Sequence, residues 1–392
     1  MSALPANVRV LDPGAVDTDA VAVLAGRVQH EVDAGRMPAA QFALALDGEV
    51  VADATFGSAT PDTRFNVFSC TKAVTGGVAW QLVGEGALSP DTRVVDLVPR
   101  FLADGPDAAV ADQITLEQLL THTAGFPYAP LGPPRWDTRE GRLDVMSRWK
   151  LNFPPGTHYE YHATAAHWVV AEMVEVVEGK DYRQVVRERV LEPLGLDGFT
   201  LGLPVDQQPA DVAELVMVGE PPTPQELDAV FGMPDPPMGE DTPEILLHFN
   251  HPEVRAVGVP GGGGLSDATS LALYYQALLQ NTGGLWDPEV LADATGHVRC
   301  TLPEPLLGIP SNRTLGLRVA GDDGQSHLRG MGRGVSPAAF GHNGAAGQIA
   351  WADPATGLSF AFVTSAVERN VLREASRTSS LATKAAACRP VR

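Results

Sequence analysis

The first part of the chain changes from a helical to a strand-like pattern of hydrophobic residues. Between residues 16 and 32, apolar side chains return every three or four positions, which predicts an amphipathic helix. Residues 41–46 and 49–56 are predicted strands, and the Asp47-Gly48 pair between them strongly favours a hairpin turn. The chain is therefore predicted to open with a helix followed by two paired strands.

Helical spacing dominates the middle of the chain. It predicts helices over 69–82, over 163–177, and from a Ser266 cap to Leu279. Residues 204–262 break this pattern, because prolines are dense there and no periodicity persists. An irregular segment of that length in a compact protein usually forms a lid or one wall of a binding site.

Strand signals return near the end of the chain. They cover 314–319, 347–353 and 358–364, and a terminal helix is predicted over 371–387. Strands at both ends with helices between them predict an α+β fold, in which an antiparallel sheet is flanked by helices.

The same order of elements predicts two domains. A sheet domain is expected from residues 15–75 together with 290–392, and an inserted, mostly helical domain from 76–289. The proline-rich residues 204–262 belong to the inserted domain and are expected to border a cleft.

Composition and charge narrow the class of protein. The chain has 392 residues, of which 44% are hydrophobic and 19% charged, so it can bury a large core and is not a disordered chain. A formal net charge of −20 repels phosphate backbones and anionic lipid heads, so neither nucleic acid nor a membrane is expected as a partner. The first residues lack the basic and apolar regions of a secretory signal, which makes the cytoplasm the expected location.

Candidate chemistry begins with Ser69 and Lys72, which are three positions apart on a predicted helix. Residues at this spacing share one face, so the hydroxyl and the amine can lie close together. A lysine whose pKa is lowered by burial can take the serine proton and create a nucleophile. The same spacing occurs at Ser147 and Lys150, and a serine at a helix start is often an ordinary cap, so the pair alone does not identify a site.

Two further motifs carry groups that could act with such a serine. Tyr161 lies at a predicted junction of loop and helix, where a tyrosine near a lysine can move protons, although a packed aromatic residue is the alternative. The run His342-Asn343-Gly344 lies among small residues that let a substrate carbonyl approach backbone N–H groups, although a glycine-rich turn also explains it.

The order of these motifs resembles that of the serine β-lactamase family. The matching motifs are Ser-x-x-Lys at Ser69, the run LLTHTAGFP at 119–127, Tyr161, the run PLGL at 193–196, and His342-x-Gly344. The resemblance extends from about residue 20 to 385. Within the family, the sequence most resembles the class C β-lactamase-like branch, which includes the family VIII carboxylesterases. The resemblance implies a β-lactamase/transpeptidase-like fold. It also favours Ser69 over Ser147 as the serine of the motif, because Ser147 is too near Tyr161 to leave room for the helical domain.

The resemblance also implies roles for individual residues. Ser69 would be the nucleophile that becomes acylated, and Lys72 and Tyr161 would share the roles of general base and acid. The backbone N–H groups of Ser69 and Ala345 would form the oxyanion hole. The expected substrate-binding residues are His342, Asn343, Gly344 and His162, and no metal ion or organic cofactor is implied.

Two departures from the family pattern point away from β-lactams. The β-lactamases usually carry Tyr-x-Asn, whose amide holds the acylamino group of the drug, whereas Tyr161 is followed by His162-Ala163. The lysine of their Lys-Thr-Gly motif is replaced by His342, and histidine is largely neutral near neutral pH. Both changes weaken recognition of a carboxylate-bearing amide and leave ester cleavage intact.

The sequence therefore predicts a serine hydrolase that cleaves carboxylic esters through an acyl-enzyme, with a small-molecule ester or amide as its partner. β-Lactamase, D-amino-acid peptidase, amide hydrolase and acyltransferase activities stay open because they use the same acyl-enzyme. A non-catalytic binding role and the oligomeric state stay open too. The candidate apolar lining of the substrate pocket consists of Phe231, Met233, Met238 and Phe249.

Two other kinds of site receive little support from the sequence. Residues 264–268 and 334–338 come near the Gly-x-Ser-x-Gly elbow of α/β-hydrolases, but both runs end in alanine. His158, His162 and His167 lack the spacing and the cysteine partners of common metal sites.

Overall fold

In the computed structural model, which describes residues 5–236 and 243–389, both ends of the chain meet in one antiparallel sheet. In chain order the strands are β1 (Val8–Val10), β2 (Ala39–Leu46), β3 (Glu49–Gly57), β4 (Phe65–Asn66), β5 (Thr200–Leu201), β6 (Val216–Val218), β7 (Gly264–Ser266), β8 (Arg318–Val319), β9 (Phe340–Gly341), β10 (Ile349–Asp353), β11 (Leu358–Thr364) and β12 (Ala366–Glu368). The helices are α1 (Thr18–Asp33), α2 (Thr71–Gly84), α3 (Val94–Leu97), α4 (Leu116–Leu120), α5 (Arg139–Met146), α6 (Ala165–Glu178), α7 (Tyr182–Val186), α8 (Pro224–Phe231), α9 (Pro252–Val257), α10 (Ala268–Gln280), α11 (Pro288–Gly296) and α12 (Val371–Ala387).

The main sheet has seven strands in the order β1-β3-β2-β11-β10-β9-β8, and every neighbouring pair is antiparallel. Strand β2 pairs with β11 from Ala40 opposite Thr364 to Ala45 opposite Ser359, which joins the two ends of the chain. Two smaller sheets contain β4-β7-β5 and β12-β6. The antiparallel sheet with flanking helices confirms the predicted α+β class.

The β2–β3 hairpin forms where the sequence predicts it. Asp47 and Gly48 both have left-handed backbones, with φ of 51° and 84°, as a two-residue hairpin turn requires. Along β2, Phe42 belongs to the core cluster shared with α1 and α12, whereas Ala43 and Ala45 belong to the cluster shared with α10. Alternate residues of one strand therefore serve two cores, and helices cover both faces of the sheet.

Helix α10 packs against β2 and β11, although it falls within 76–289, the range predicted for the inserted domain. The division into 15–75 with 290–392 and 76–289 stays a prediction. Among the residues described, no helix combines the length and the apolar character needed to cross a bilayer.

The predicted helices over 16–32, 69–82, 163–177 and 371–387 are present as α1, α2, α6 and α12. The predicted Ser266 cap of α10 is wrong. Asp267 caps this helix, because its carboxylate accepts the Ser270 N–H at 2.6 Å, and Ser266 belongs to β7. The predicted strand over 314–319 is also too long, since only Arg318–Val319 pairs with the short β9.

Residues 204–262 are more regular than the sequence predicts. Their described part contains β6, α8, α9 and a 3₁₀ segment at Pro243–Asn250. Pro224 and Pro252 occupy the first turns of α8 and α9, where proline does not remove a helical hydrogen bond. Several of the dense prolines therefore mark helix starts, which the broken periodicity hides.

A buried cluster of charges joins α5 to α6. Arg142 is almost inaccessible, and its guanidinium lies 2.7 Å from Glu172 Oε1 and 3.0 Å from Glu175 Oε2. Arg139 Nε lies 2.9 Å from Glu172 Oε2. Because a buried charge without a partner is strongly unfavourable, this cluster is expected to be sensitive to the loss of any member.

We expect Arg142→Met to lower the free energy of unfolding by about 3–5 kcal/mol, because Glu172 and Glu175 would lose a buried partner. Arg148→Met is the matched control. Arg148 is 54% exposed and pairs with Asp144 on the surface, so its loss is expected to change stability by less than about 1 kcal/mol. Denaturant titration of both variants measures the difference, and equal losses would contradict the stabilising role of the cluster.

Candidate active site

Ser69 lies at the start of α2, in a 3₁₀ turn formed by Phe68–Cys70. The chain enters this turn from β4, which pairs with β7. Phe68 has a left-handed backbone with φ of 44°, which is unfavourable for a bulky residue, and its ring packs edge-on against Phe249 at 5.4 Å. The buried packing of Phe68 therefore holds the strained turn from which the Ser69 side chain emerges.

Ser69 Oγ is within hydrogen-bond distance of two of the residues singled out in the sequence. Lys72 Nζ lies 3.1 Å away, and the Tyr161 hydroxyl oxygen lies 2.8 Å away. Lys72 comes from the next turn of the same helix, whereas Tyr161 comes from the extended segment that leads into α6. The structure thus brings Ser69, Lys72 and Tyr161 together.

The Lys72 amine is buried and has no carboxylate partner in the part of the chain that the structure describes. Its Nζ donates to the carbonyl oxygens of Ala163 and Gly261, both at 2.6 Å. Burial, assisted by the positive charge of Arg313, lowers the pKa of Lys72 well below its ordinary value. A neutral amine has two N–H groups and one lone pair, so the two carbonyls leave that lone pair for the Ser69 O–H.

Burial shifts the pKa of Tyr161 in the opposite direction and again favours the neutral form of the side chain. It raises the pKa of Tyr161 to about 12, although Arg313 and the hydrogen bond with Ser69 act in the other direction. The phenol is therefore protonated at neutral pH and donates to Ser69 Oγ. The Lys72 Nζ lies 5.1 Å from the centroid of the Tyr161 ring. The serine oxygen is thus placed between a group that can accept a proton and a group that can give one.

Gly344 and Ala345 lie beside the Ser69 turn. A side-chain carbon added to Gly344 would come within 2.2 Å of the Val67 carbonyl oxygen, so this approach requires glycine. Within the described ranges, neither the Ser69 N–H nor the Ala345 N–H donates to another protein group. Both N–H groups are available to stabilise a negatively charged oxygen.

His342 lies in the site, but its neighbour Asn343 is turned away from it. The ring of His342 has its centroid 6.0 Å from that of Tyr161, and burial lowers the pKa of His342 well below its ordinary value. The Asn343 side chain donates to the Gly330 carbonyl at 3.0 Å and accepts from the Ala350 N–H at 3.3 Å. The Asn343 amide therefore holds two segments of the protein together, and the role of Asn343 in substrate binding stays a prediction.

The His162 ring is also held by groups of the protein, and its role in substrate binding stays a prediction. Its Nδ1 lies 2.7 Å from the Glu160 carbonyl oxygen, and its Nε2 accepts the Phe126 N–H at 3.1 Å. Burial lowers the pKa of His162 to about 4, so the ring is neutral. Because both ring nitrogens are used, His162 has no hydrogen-bonding atom left for a substrate and instead ties the loop at Phe126 to the segment that carries Tyr161.

Sequence reasoning missed a cluster of neutral histidines behind Tyr161. The His122 ring lies 4.6 Å from the Tyr161 ring and 6.2 Å from the His167 ring, and burial lowers the pKa of both histidines well below the ordinary value. His122 belongs to the loop motif at 119–127, which the sequence alone does not connect to Tyr161. Across 5–236 and 243–389, no group of three or more His, Cys, Asp and Glu side chains is arranged to hold a metal ion.

Two arginines near Tyr161 were also missed. The guanidinium carbon of Arg313 lies 5.3 Å from the centroid of the Tyr161 ring, and Arg318 contacts the neighbouring Tyr159. No local spacing could have found them, because more than 150 residues separate them from Tyr161 in the sequence. They place fixed positive charge beside the site, which the neutral His342 does not supply.

The apolar wall beside the Ser69 turn differs from the predicted lining. Phe249 packs there against a small cluster of Phe68, Leu215, Ala346 and Val367. Phe231 and Met233 lie at and beyond the end of α8, outside this cluster, and Met233 is 44% exposed. Met238 lies outside the described residues.

Comparison with known proteins identifies the family. A family model described as β-lactamase matches residues 24–383, so the chain belongs to the β-lactamase family. The Mycobacterium tuberculosis protein "Esterase/beta-lactamase LipL" is 29% identical over 353 residues, which cover 82% of this chain and 76% of that protein. A putative D-alanyl-D-alanine carboxypeptidase of Escherichia coli K12 is 26% identical over 355 residues, which cover 83% of this chain and 78% of that protein.

Solved structures agree with this assignment. A penicillin-binding protein homologue from Caulobacter crescentus superposes with a TM-score of 0.74 at 27% identity, over 96% of this chain and 99% of that chain. A family VIII carboxylesterase has the same fold, with a TM-score of 0.74 at 24% identity, over 96% of this chain and 99% of that chain. The predicted β-lactamase/transpeptidase-like fold is confirmed, and the family contains esterases, β-lactamases and carboxypeptidases.

We expect Gly344→Ala to lower the free energy of unfolding by about 1–3 kcal/mol, because the added carbon meets a backbone oxygen that cannot rotate away. Gly296→Ala is the matched control, since a carbon added there meets nothing within 4 Å. The control is expected to be neutral or stabilising by up to about 1 kcal/mol. Denaturant titration compares the two variants, and an unchanged stability for Gly344→Ala would show that the two segments lie further apart than described.

Proposed function

We propose that this protein is a serine esterase that hydrolyses carboxylic esters of small molecules through an acyl-enzyme on Ser69. The observation that supports this proposal is the contact of Ser69 Oγ with a neutral amine at 3.1 Å and a protonated phenol at 2.8 Å. The proposal is also supported by the Mycobacterium tuberculosis relative, which aligns with 82% of this chain and is named an esterase/β-lactamase.

In the first half of the proposed cycle, the Lys72 amine takes the Ser69 proton while Oγ attacks the ester carbonyl carbon. The carbonyl oxygen becomes negatively charged and is stabilised by the N–H groups of Ser69 and Ala345. When the ester C–O bond breaks, Tyr161 gives its proton to the leaving alkoxide, which departs as an alcohol. The site then holds acyl-Ser69, protonated Lys72 and a Tyr161 phenolate, whose opposite charges stabilise each other.

Water completes the cycle. The Tyr161 phenolate takes a proton from a water molecule, whose oxygen attacks the acyl carbon. As Ser69 Oγ leaves the tetrahedral intermediate, protonated Lys72 returns the proton to it. Tyr161 is again a phenol and Lys72 is again a neutral amine, so the products are one carboxylic acid and one alcohol.

The polar groups of the site favour esters over β-lactams. Ala163 offers no side-chain amide to an acylamino group, and its carbonyl oxygen is already used by Lys72. The neutral His342 offers no positive charge at the position where the β-lactamases carry a lysine. An ester needs neither contact for the attack on its carbonyl carbon.

We expect Ser69→Ala to lower the hydrolysis of short-chain nitrophenyl esters by about 10⁴-fold or more, because no acyl-enzyme can form. Intact-mass measurement should find an acyl adduct on the wild type and none on the variant. Ser147→Ala is the matched control from the second Ser-x-x-Lys pair, since the Ser147 hydroxyl donates to the Asp144 carbonyl within α5. It should keep wild-type activity.

Two results of the same assay would count against the proposal. Ester turnover that persists in Ser69→Ala would reject Ser69 as the nucleophile. Cleavage of a chromogenic cephalosporin as efficient as that of the esters would reject the preference for esters.

The pH dependence of kcat/KM gives a second test. Activity needs a neutral Lys72, so kcat/KM should rise with pH through the lowered pKa of Lys72 and then stay level. It should decline only as the pH nears about 12, where Tyr161 loses its proton. Lys72→Arg, which keeps a positive charge and has no base, should lose at least about 10²-fold in kcat/KM. A decline already near pH 10, the ordinary pKa of tyrosine, would contradict the assignment of Tyr161 as a buried proton donor.

A further inference from the structure

Tyr159, two residues before Tyr161, has an unusual set of hydrogen-bond partners. Its side chain is buried, and its hydroxyl oxygen lies 3.1 Å from Nε and 3.0 Å from Nη2 of Arg313. A third guanidinium nitrogen, Nη2 of Arg318, lies 3.2 Å from the same oxygen. All three contacts are donor contacts, because a guanidinium has no acceptor atom.

This arrangement does not suit a neutral phenol. The oxygen of a neutral tyrosine has two lone pairs and carries a proton that needs an acceptor of its own. Three N–H groups converge on Tyr159, and within the described residues its hydroxyl has no acceptor. A phenolate has three lone pairs and no proton, which matches the three donors.

The charges around Tyr159 lead to the same conclusion. Neither Arg313 nor Arg318 has a carboxylate within ion-pair distance in the described ranges, and Nη1 of Arg313 and Nε of Arg318 are buried without any partner. Arginine does not lose its charge in proteins. Arg313 is buried and Arg318 is half-buried. Two neighbouring cations with no carboxylate at ion-pair distance are unfavourable there, and Tyr159 is the acceptor that they share.

We propose that Tyr159 is held as a phenolate that is the common counter-ion of Arg313 and Arg318, and that this ion cluster positions Tyr161 beside Ser69. The proton of Tyr159 is released to solvent when the cluster forms. The first part of the proposal concerns the folded protein alone, and the second part rests on the proposed function.

The groups that face Tyr159 are compatible with a negative charge. Burial by itself would raise the pKa of Tyr159, but Arg313 and Arg318 outweigh it and hold the pKa below its ordinary value. His122 faces the Tyr159 ring edge-on at 6.3 Å and is neutral, and Tyr161 is protonated. Glu304 is close enough to Arg318 to act on its charge and raises the pKa of Arg318.

The cluster reaches the reacting groups through Arg313. Its guanidinium carbon lies 5.6 Å from the Tyr159 ring centroid and 5.3 Å from the Tyr161 ring centroid, so it is held between the two rings. The phenolate fixes the position of this guanidinium and compensates part of its charge. Tyr159 is thus a positioning residue, which acts on Tyr161 through Arg313.

The test is a near-ultraviolet difference spectrum, because tyrosinate absorbs at longer wavelength than tyrosine. The wild type minus Tyr159→Phe, at equal concentration and neutral pH, should show the band of one tyrosinate among the six tyrosines of the chain. Tyr128→Phe is the matched control, since Tyr128 is 54% exposed. The tyrosinate band should persist in Tyr128→Phe and in Tyr161→Phe.

Two measurements keep the test valid if Tyr159→Phe folds poorly. Wild-type protein labelled with ¹³C at the hydroxyl-bearing tyrosine carbon should show one ionised tyrosine at neutral pH. Arg318→Gln, which removes one of the two cations, should leave that tyrosine less ionised, so that its signal titrates at a higher pH than in the wild type.

The outcomes separate this inference from the proposed function, because the spectra need no substrate. Absence of a tyrosinate signal at neutral pH would overturn the inference. Loss of that signal in Tyr161→Phe would also overturn it, because Tyr161 and not Tyr159 would then be the ionised tyrosine.

The positioning role is tested with esters, where Tyr159→Phe should lower kcat more than it changes KM. It should also move the acidic limb of the pH profile to lower pH, since Lys72 would face a less compensated Arg313. If the tyrosinate is found but the pH profile of Tyr159→Phe is unchanged, the positioning role is rejected. The ion cluster would then only stabilise the structure.

Discussion

The contacts of one nitrogen atom, Nζ of Lys72, constrain the rest of the site. It lies between the carbonyl oxygens of Ala163 and Gly261 and faces Ser69 Oγ, so three distant stretches of chain meet there. A carbon added to Gly261 would lie 3.2 Å from this nitrogen and 3.2 Å from Cβ of His167, which explains the need for a small residue. Because no carboxylate compensates the amine, burial lowers its pKa and gives it a free lone pair.

The surroundings of this amine are polar but mostly uncharged. Buried histidines, among them His122 and His342, are neutral because burial lowers their pKa. The positive charge of the site is carried by Arg313, beside the Tyr161 ring, and by Arg318, which contacts Tyr159. Burial and the nearby positive charge of Arg313 both lower the pKa of Lys72, which is the condition under which a lysine can serve as a base.

Sequence patterns predicted the parts of the site whose geometry is local. The spacing of Ser69 and Lys72 places both on one helical face, and the motif order indicated Tyr161. The patterns did not show that the side chains of His162 and Asn343 are hydrogen-bonded within the protein. They also underestimated the order within 204–262, because prolines at helix starts look like breaks in periodicity.

Local patterns were enough to predict the hairpin at Asp47-Gly48, the principal helices and the Ser-x-x-Lys spacing, because these depend on backbone preferences and on neighbours within a few residues. The charge states, in contrast, follow from the tertiary structure. Whether Lys72 is an amine or an ammonium, and whether Tyr159 is a phenol or a phenolate, depends on burial and on groups such as Arg313 that lie more than 150 residues away in the chain. Electrostatic free energies in a protein interior depend on distance in space, and a sequence does not contain those distances.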